Sequence, residues 1–168
     1  MSDAAFRASD NFLRGRSGER VVATMVQERG CFVVPSYDYA GEDGNKAPKM
    51  EGARVSYVLP DLDVSKNGSR YWVEVKTKGA ATLHRKTGRL EHGISKRHYE
   101  HYQQVQAISG CPVWLFVVEE DDGLVLCERL DVLSKGARFY EGPKMGWAGM
   151  VFFPRSAFRV YGRCEEAA

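Results

Sequence analysis

Asn67-Gly68 constrains this chain more than any other feature, because it sits between two runs with the alternation of β-strands, Arg54–Ser65 and Arg70–Lys78. Both central positions of a type I′ turn need positive φ, which asparagine and glycine tolerate, so Lys66-Asn67-Gly68-Ser69 predicts a tight hairpin. The turn also sets the register. It places Asp61 opposite Glu74, Asp63 opposite Trp72 and Leu59 opposite Lys76. Successive side chains point to opposite faces of a strand. Leu59, Asp61, Asp63, Trp72, Glu74 and Lys76 therefore share one face, and Leu62, Val64, Val73 and Val75 form the other, the core side.

Three carboxylates and a lysine on one strand pair are an unusual investment. Directly paired Cβ atoms lie about 5 Å apart, and like charges so placed destabilise a ladder. Lys76 offsets part of the charge, and a hard divalent cation, which prefers carboxylate oxygens, would offset the rest. The other reading is a solvent face on which Lys76 and Lys78 pair with the acids. The strongly apolar setting, Tyr71-Trp-Val-Glu-Val-Lys76, weighs against it.

The remaining elements follow from periodicity and punctuation. A helix runs from near Asp10 or Ser17 to Arg29 and is closed by Gly30. Glu19 falls on its apolar stripe with Val22 and Val26, aimed at the sheet, unless it only complements the helix dipole behind a Ser17 cap. Cys31–Tyr39 reads as a strand, Ala40–Gly52 as a loop and Gly79–Gly93 as a basic loop. Ser95 caps a helix to Ser109, ended by Gly110, with Tyr99, Tyr102, Val105 and Ile108 as its core stripe. Lys96, Gln103 and Gln106 are its polar candidates for the charged side. A second hairpin joins Val113–Glu119 to Leu124–Arg129, followed by a short helix near Asp131–Lys135 and a strand near Met150–Phe153.

With 168 residues, a single domain is expected, with a core over about 10–130, an extension over 131–162 and loose ends at 1–9 and 163–168. The chain can bury a core without disulfide or metal. A composition of 27% charged and 43% hydrophobic residues excludes a disordered or coiled-coil chain. The longest uncharged apolar run, Cys111–Val118, cannot span a bilayer, and the start of the sequence lacks a signal-peptide pattern. Four scattered cysteines read as reduced thiols, which places the expected location inside the cell, in the cytoplasm. Net charge is only +2, but Lys76–His101 holds seven Lys/Arg against two acids. A basic patch of this kind suits a polyanion, with Lys78, Arg85, Lys86, Arg89, Lys96 and Arg97 as candidate nucleic-acid contacts; a solvated basic loop is the plainer reading. The four histidines of that segment have no structural-zinc spacing.

Glu19, then Pro60-Asp61, then Glu74-Val75-Lys76 resemble the motif set of the PD-(D/E)XK nuclease superfamily. The resemblance covers about residues 10–130. It implies an α/β fold with a central mixed β-sheet flanked by helices, in the restriction-endonuclease-like order α-β-β-β-α-β, like small Holliday junction resolvases or phage-type nucleases. It implies a metal-dependent DNA endonuclease in which Asp61 and Glu74 bind Mg²⁺ or Mn²⁺, with the Val75 carbonyl as a further ligand. Lys76 would orient and help deprotonate the attacking water, and Glu19 would support the site. Asp63 points the same way as Asp61 and could replace or join it. The expected partner is DNA, recognised by structure or ends in recombination, repair, restriction or phage DNA processing. A homodimer would present two sites, and no small-molecule cofactor is expected. A non-catalytic nucleic-acid-binding domain of the same fold is the alternative.

Overall fold

The computed structural model describes residues 10–39, 47–141 and 149–164. The expected loose end 1–9, the loop segment 40–46 and residues 165–168 lie outside the described residues; of the loose end expected at 163–168, Arg163 instead ends a paired strand. Helix α1 (Asp10–Glu28) leads to β1 (Phe32–Pro35) and a 3-10 turn over Ser36–Tyr39. Short strands β2 (Lys49–Glu51) and β3 (Ser56–Val58) precede the hairpin β4 (Leu62–Lys66) and β5 (Ser69–Lys78). Then come β6 (Thr82–His84), β7 (Arg89–Ser95), α2 (Lys96–Ser109), β8 (Val113–Glu119), β9 (Leu124–Arg129) and α3 (Leu130–Leu133). The described chain finishes with β10 (Arg138–Tyr140), β11 (Met150–Pro154) and β12 (Arg159–Arg163).

The expected hairpin forms, and its ladder keeps the expected register from Leu62 to the turn, but Leu59 and Asp61, expected opposite Lys76 and Glu74, fall between β3 and β4 and outside the ladder. Asn67 and Gly68 take φ of 50° and 78°, and Leu62 pairs with Val73, Asp63 with Trp72. The hairpin belongs to a six-stranded mixed sheet of order β1-β4-β5-β8-β9-β12, antiparallel except where β5 runs parallel to β8. A parallel pair needs a long crossover. Here the crossover is β6, β7 and α2, and it builds a second, four-stranded sheet of order β10-β11-β7-β6.

Both faces of the main sheet are covered. Val22, Met25 and Val26 of α1 pack on Leu62, Val64, Val73 and Val75. On the other side Tyr99, Tyr102 and Val105 of α2, with Ile94, Val151 and Phe153 of the second sheet, pack on Trp72, Val113, Leu115 and Val117. The charged face of the hairpin is thus a second core side rather than a solvent face. A buried network stitches the two sheets together. Glu119 on β8, 1% exposed, accepts from Arg155 through both oxygens (2.8 and 2.6 Å) and lies 2.8 Å from Nε2 of His92 on β7.

Several boundaries differ from expectation. Gly79–Gly93 is mostly the β6–β7 hairpin, Lys49–Glu51 is a strand paired with β3, and the strand expected from Cys31 ends at Pro35. Residues 159–163 form the edge strand β12. Ile108, expected in the core, is 58% exposed. All four cysteines are free thiols. No helix among the described residues is long and apolar enough to cross a membrane.

Helix α2 starts and stops as its sequence directs. The Ser95 hydroxyl accepts from the His98 amide at 3.2 Å, and Gly110 closes the helix at φ 66°. Ser95→Ala removes that acceptor and should cost about 1 kcal/mol. For a chain of this size that lowers the melting temperature by about 2–4 °C, measurable by circular dichroism.

Candidate active site

The hairpin brings Asp61, Glu74 and Lys76 together. Asp61 stands just before β4, after Pro60, where the chain leaves β3. It is fixed at both its backbone and its side chain: its carbonyl accepts from the Ser36 amide and its Oδ2 from the Val75 amide, both at 2.8 Å. Glu74 lies mid-strand in β5, between β4 and β8, and is 1% exposed. One of its oxygens, Oε1, is held by the ammonium of Lys76. The other, Oε2, is buried and has no hydrogen-bond partner.

The electrostatics follow from burial and proximity. Desolvation, reinforced by the charge of Glu74, holds the Asp61 carboxyl well above the usual carboxylate range, while Lys76 and the Val75 amide pull the other way. For Lys76, burial acts to lower the pKa, but Glu74 and Asp61 outweigh it and raise it. Metal-free, the lysine is therefore a firmly protonated cation.

Glu19 reaches the same site from α1. Its carboxyl is raised by burial, lowered by Arg16, then raised by Glu74 and lowered by Lys76. It also pairs with Arg16 at 3.7 Å. The helix comes close enough because Gly18 faces Thr77 of β5, where a Cβ would collide with the Thr77 hydroxyl. Asp63 is engaged differently, gripped by both Nε and Nη2 of Arg70 at 2.8 and 2.7 Å.

Two residues of the site were not singled out from sequence. Tyr102 and His98 stand one turn apart on α2, their rings 5.7 Å apart. Burial, then Glu74 and Asp61, push the Tyr102 hydroxyl well up. His98 is lowered by burial and feels Glu74 and Lys76 next. The signal was available: a histidine four residues before a tyrosine of the core stripe shares its helix face. The expected polar candidates serve the fold instead. Gln106 accepts from the Val113 amide at 2.9 Å, and Gln103 donates to the Tyr99 hydroxyl at 3.0 Å.

The basic residues separate into groups. Lys78, exposed at the end of β5, has its pKa lowered by burial of its stem and then by Lys76 and Arg14. Arg85 and Lys86 occupy the exposed β6–β7 turn, with exposed Arg89 beginning β7. Lys96 pairs with Glu141 and, at 3.9 Å, with Glu100, while its neighbour Arg97 is exposed.

Among the described residues no group of three His, Cys, Asp or Glu side chains forms a ready cage for a metal ion. The donors that do converge are hard oxygens, and the unpartnered Oε2 of Glu74 is a buried acceptor that a cation would satisfy. On that observation the residues fit a divalent ion.

No protein-family model and no curated protein matches the sequence. Solved structures do match. A Holliday junction resolvase, Hjc of Archaeoglobus fulgidus, superimposes with a TM-score of 0.55 at 13% identity, over 92% of this chain and all of that one. D212, a nuclease from a fusselovirus, matches at a TM-score of 0.47 and 11% identity, over 88% and 84% of the two chains. The chain therefore has a restriction-endonuclease-like fold, a mixed α/β core shared with a Holliday junction resolvase.

Proposed function

We propose that the chain is a metal-dependent nuclease that hydrolyses phosphodiester bonds of DNA. The observation that carries this is Glu74: a fully buried carboxylate beside Asp61, with Lys76 on one oxygen and the other oxygen free. The fold shared with a resolvase supports it. Mg²⁺ or Mn²⁺ would be held by Asp61 and Glu74 with the Val75 carbonyl, and would supply charge neutralisation at the phosphoryl oxygens and an acidified water. Asp63 is left out of this set because Arg70 occupies both its oxygens.

The chain's own residues do the rest. Asp61, pinned by two hydrogen bonds, keeps its carboxylate in place at little reorganisation cost. Lys76 donates to and orients the attacking water. With Glu74 drawn to a cation, the burial that acts to lower the Lys76 pKa would be less opposed, so that Nζ would release one proton to solvent and then take one from the attacking water. Glu19 supports the site by its charge. Lys78, Arg85, Lys86, Arg89 and Arg97 would carry phosphates, and Lys96 would do so on release from Glu141. The likeness to a resolvase favours branched or end-bearing DNA over a base sequence, with two copies of the chain presenting two sites. Recombination, repair, restriction or phage DNA processing are the settings such an activity would serve.

The decisive assay incubates the protein with linear, nicked, single-stranded and four-way-junction DNA in Mg²⁺, Mn²⁺ or EDTA. Metal-dependent cleavage is expected. Glu74→Gln and Lys76→Ala should each reduce it by at least about 10²-fold, the range for loss of a proton-transfer group, with DNA binding largely kept. Glu19→Ala should be milder. Turnover near wild type in either of the first two variants, with folding confirmed, sinks the assignment. Cleavage of none of the substrates would make the chain a binding domain of the same fold.

Neutralising Arg85, Lys86 and Arg89 together should weaken binding to all sequences alike. It should also flatten the log–log salt dependence by about 0.9 per lost phosphate contact. An unchanged slope would return the cluster to an ordinary basic surface.

Stability gives an independent check. The charge of Glu74 disfavours ionised Asp61 in the same buried site and Lys76 offsets part of this, leaving a penalty on the order of 1 kcal/mol. In EDTA at neutral pH, Asp61→Asn should therefore melt above wild type, by about 2–4 °C. The folded pKa of Asp61 is raised, so folding retains its proton. The penalty is absent below the unfolded value near 4 and grows as pH rises through the folded value, so the gap should widen with pH. Millimolar Mg²⁺ or Mn²⁺ should raise the wild-type midpoint by mass action and leave the variant's nearly unchanged. Equal melting in EDTA with equal metal responses would separate these acids into different sites.

A further inference from the structure

The four-stranded sheet has an inner face in the core and an outer face that the nuclease chemistry does not use. Register places Glu91, Gly93 and Phe152 on the outer face, with Arg138 across from Phe152 and Thr82 across from Glu91. The Phe152 ring lies on Gly93: a Cβ there would stand 2.7 Å from the ring. The Arg138 guanidinium stacks over the same ring, 4.6 Å from its centroid, and grips Glu91 through two nitrogens. Glu91 is 5% exposed, and Tyr140 beside it is 40% exposed. These residues, with Thr82, Leu83 and His84, line a hollow of about 230 Å³. Pockets for drug-sized molecules run to about 300–1,000 Å³, so this one has room for a single ring system.

Its chemistry is selective. Tyr140 offers an exposed ring for stacking, while the Phe152 ring, packed on Gly93 and covered by the Arg138 guanidinium, forms the floor that holds Arg138 in place. Each carboxylate oxygen keeps a lone pair beyond its bond to Arg138, so Glu91 can accept from an exocyclic amine, as carboxylates do from cytosine. Cations surround the hollow: Arg138 in its wall, Arg89 close enough to depress the Glu91 carboxyl after Arg138 and His84, and Arg85 and Lys86 in the adjoining turn. Stacking rings beside a basic track are how proteins hold single-stranded nucleic acid. We infer that the outer face of this sheet is a second nucleic-acid site that takes one unpaired base of the DNA strand held at the active site. The base stacks on Tyr140, its amino group donates to Glu91, and its flanking phosphates lie on Arg85, Lys86 and Arg89. Strand β7 runs from Arg89 to Ser95, the cap of α2. That is about 20 Å at about 3.4 Å per residue, or about six nucleotides at the rise of one DNA strand.

This inference rests on the DNA reading above, and the test separates the two. Duplexes carrying a six-nucleotide single-stranded extension, with 2-aminopurine at each unpaired position in turn, are titrated with full-length protein in EDTA. A blunt duplex is the control. Wild type should quench the probe at one or two positions. Tyr140→Ala should abolish the quenching and weaken binding of the extended DNA about tenfold. That is about 1.4 kcal/mol, within the range of about 1–3 per stacked base. Affinity for the blunt duplex should stay within about twofold. Melting curves check folding, and Tyr140→Phe, which keeps the ring, should retain both the quenching and the affinity. No quenching by wild type, or equal losses on both DNAs, overturns the inference. Cleavage without preference for extended DNA overturns it alone. Discrimination by a protein that cleaves nothing overturns the nuclease reading alone.

Discussion

Burying Glu74 is the constraint from which the rest of this structure follows. A carboxylate taken out of water costs several kcal/mol unless a cation and hydrogen bonds replace the solvent. Lys76, two residues on and on the same face of β5, satisfies one oxygen, and its own side chain is still 29% exposed. That arrangement tolerates no slip of register, since one residue would send Glu74 to the α1 side among Val73, Val75 and Phe116. The left-handed Asn67-Gly68 turn is therefore as much a part of the site as the acids themselves.

Topology then decides what surrounds the pair. Because β5 and β8 run parallel, the chain must cross over between them, and the crossover delivers α2 onto the charged face. His98 and Tyr102 arrive at Glu74 by this route, with Ser95 fixing where the helix begins. The same crossover lays down β7, which β11 later pairs along its inner side. Helix α1 closes the opposite face and brings Glu19 to the margin of the site through the close approach at Gly18.

The sequence disclosed what local rules govern. The hairpin, its register, the cap at Ser95, the stop at Gly110 and the second hairpin were legible because turn chemistry and alternation are properties of neighbouring residues. Strands β6 and β7 were hidden in a basic loop because their stability comes from β11, far along the chain, and their outer face is charged. Strand β12 was hidden for the same reason, since it pairs with β9. Asp63 and Asp61 looked alike in alternation, and only the grip of Arg70 on Asp63 separates them. Tyr102 read as a core residue, and it is one. That its hydroxyl also meets the charge of Glu74 depends on where the helix docks.

The six-stranded sheet ends in two edges that resist being extended. Strand β1 has four residues and carries Pro35, which has no amide hydrogen to offer. Strand β12 is broken by a shift of register between Val160 and Gly162 and carries Arg159 and Arg163 at its ends. Bulges, prolines and charges at sheet edges discourage recruitment of a further strand. Phe32, 78% exposed on β1, and Val160, 61% exposed on β12, thus sit on rims that other chains cannot easily continue as β-structure. Copies of this protein are steered away from extending this sheet, and an association across its edges must be made by side chains instead of by shared backbone ladders.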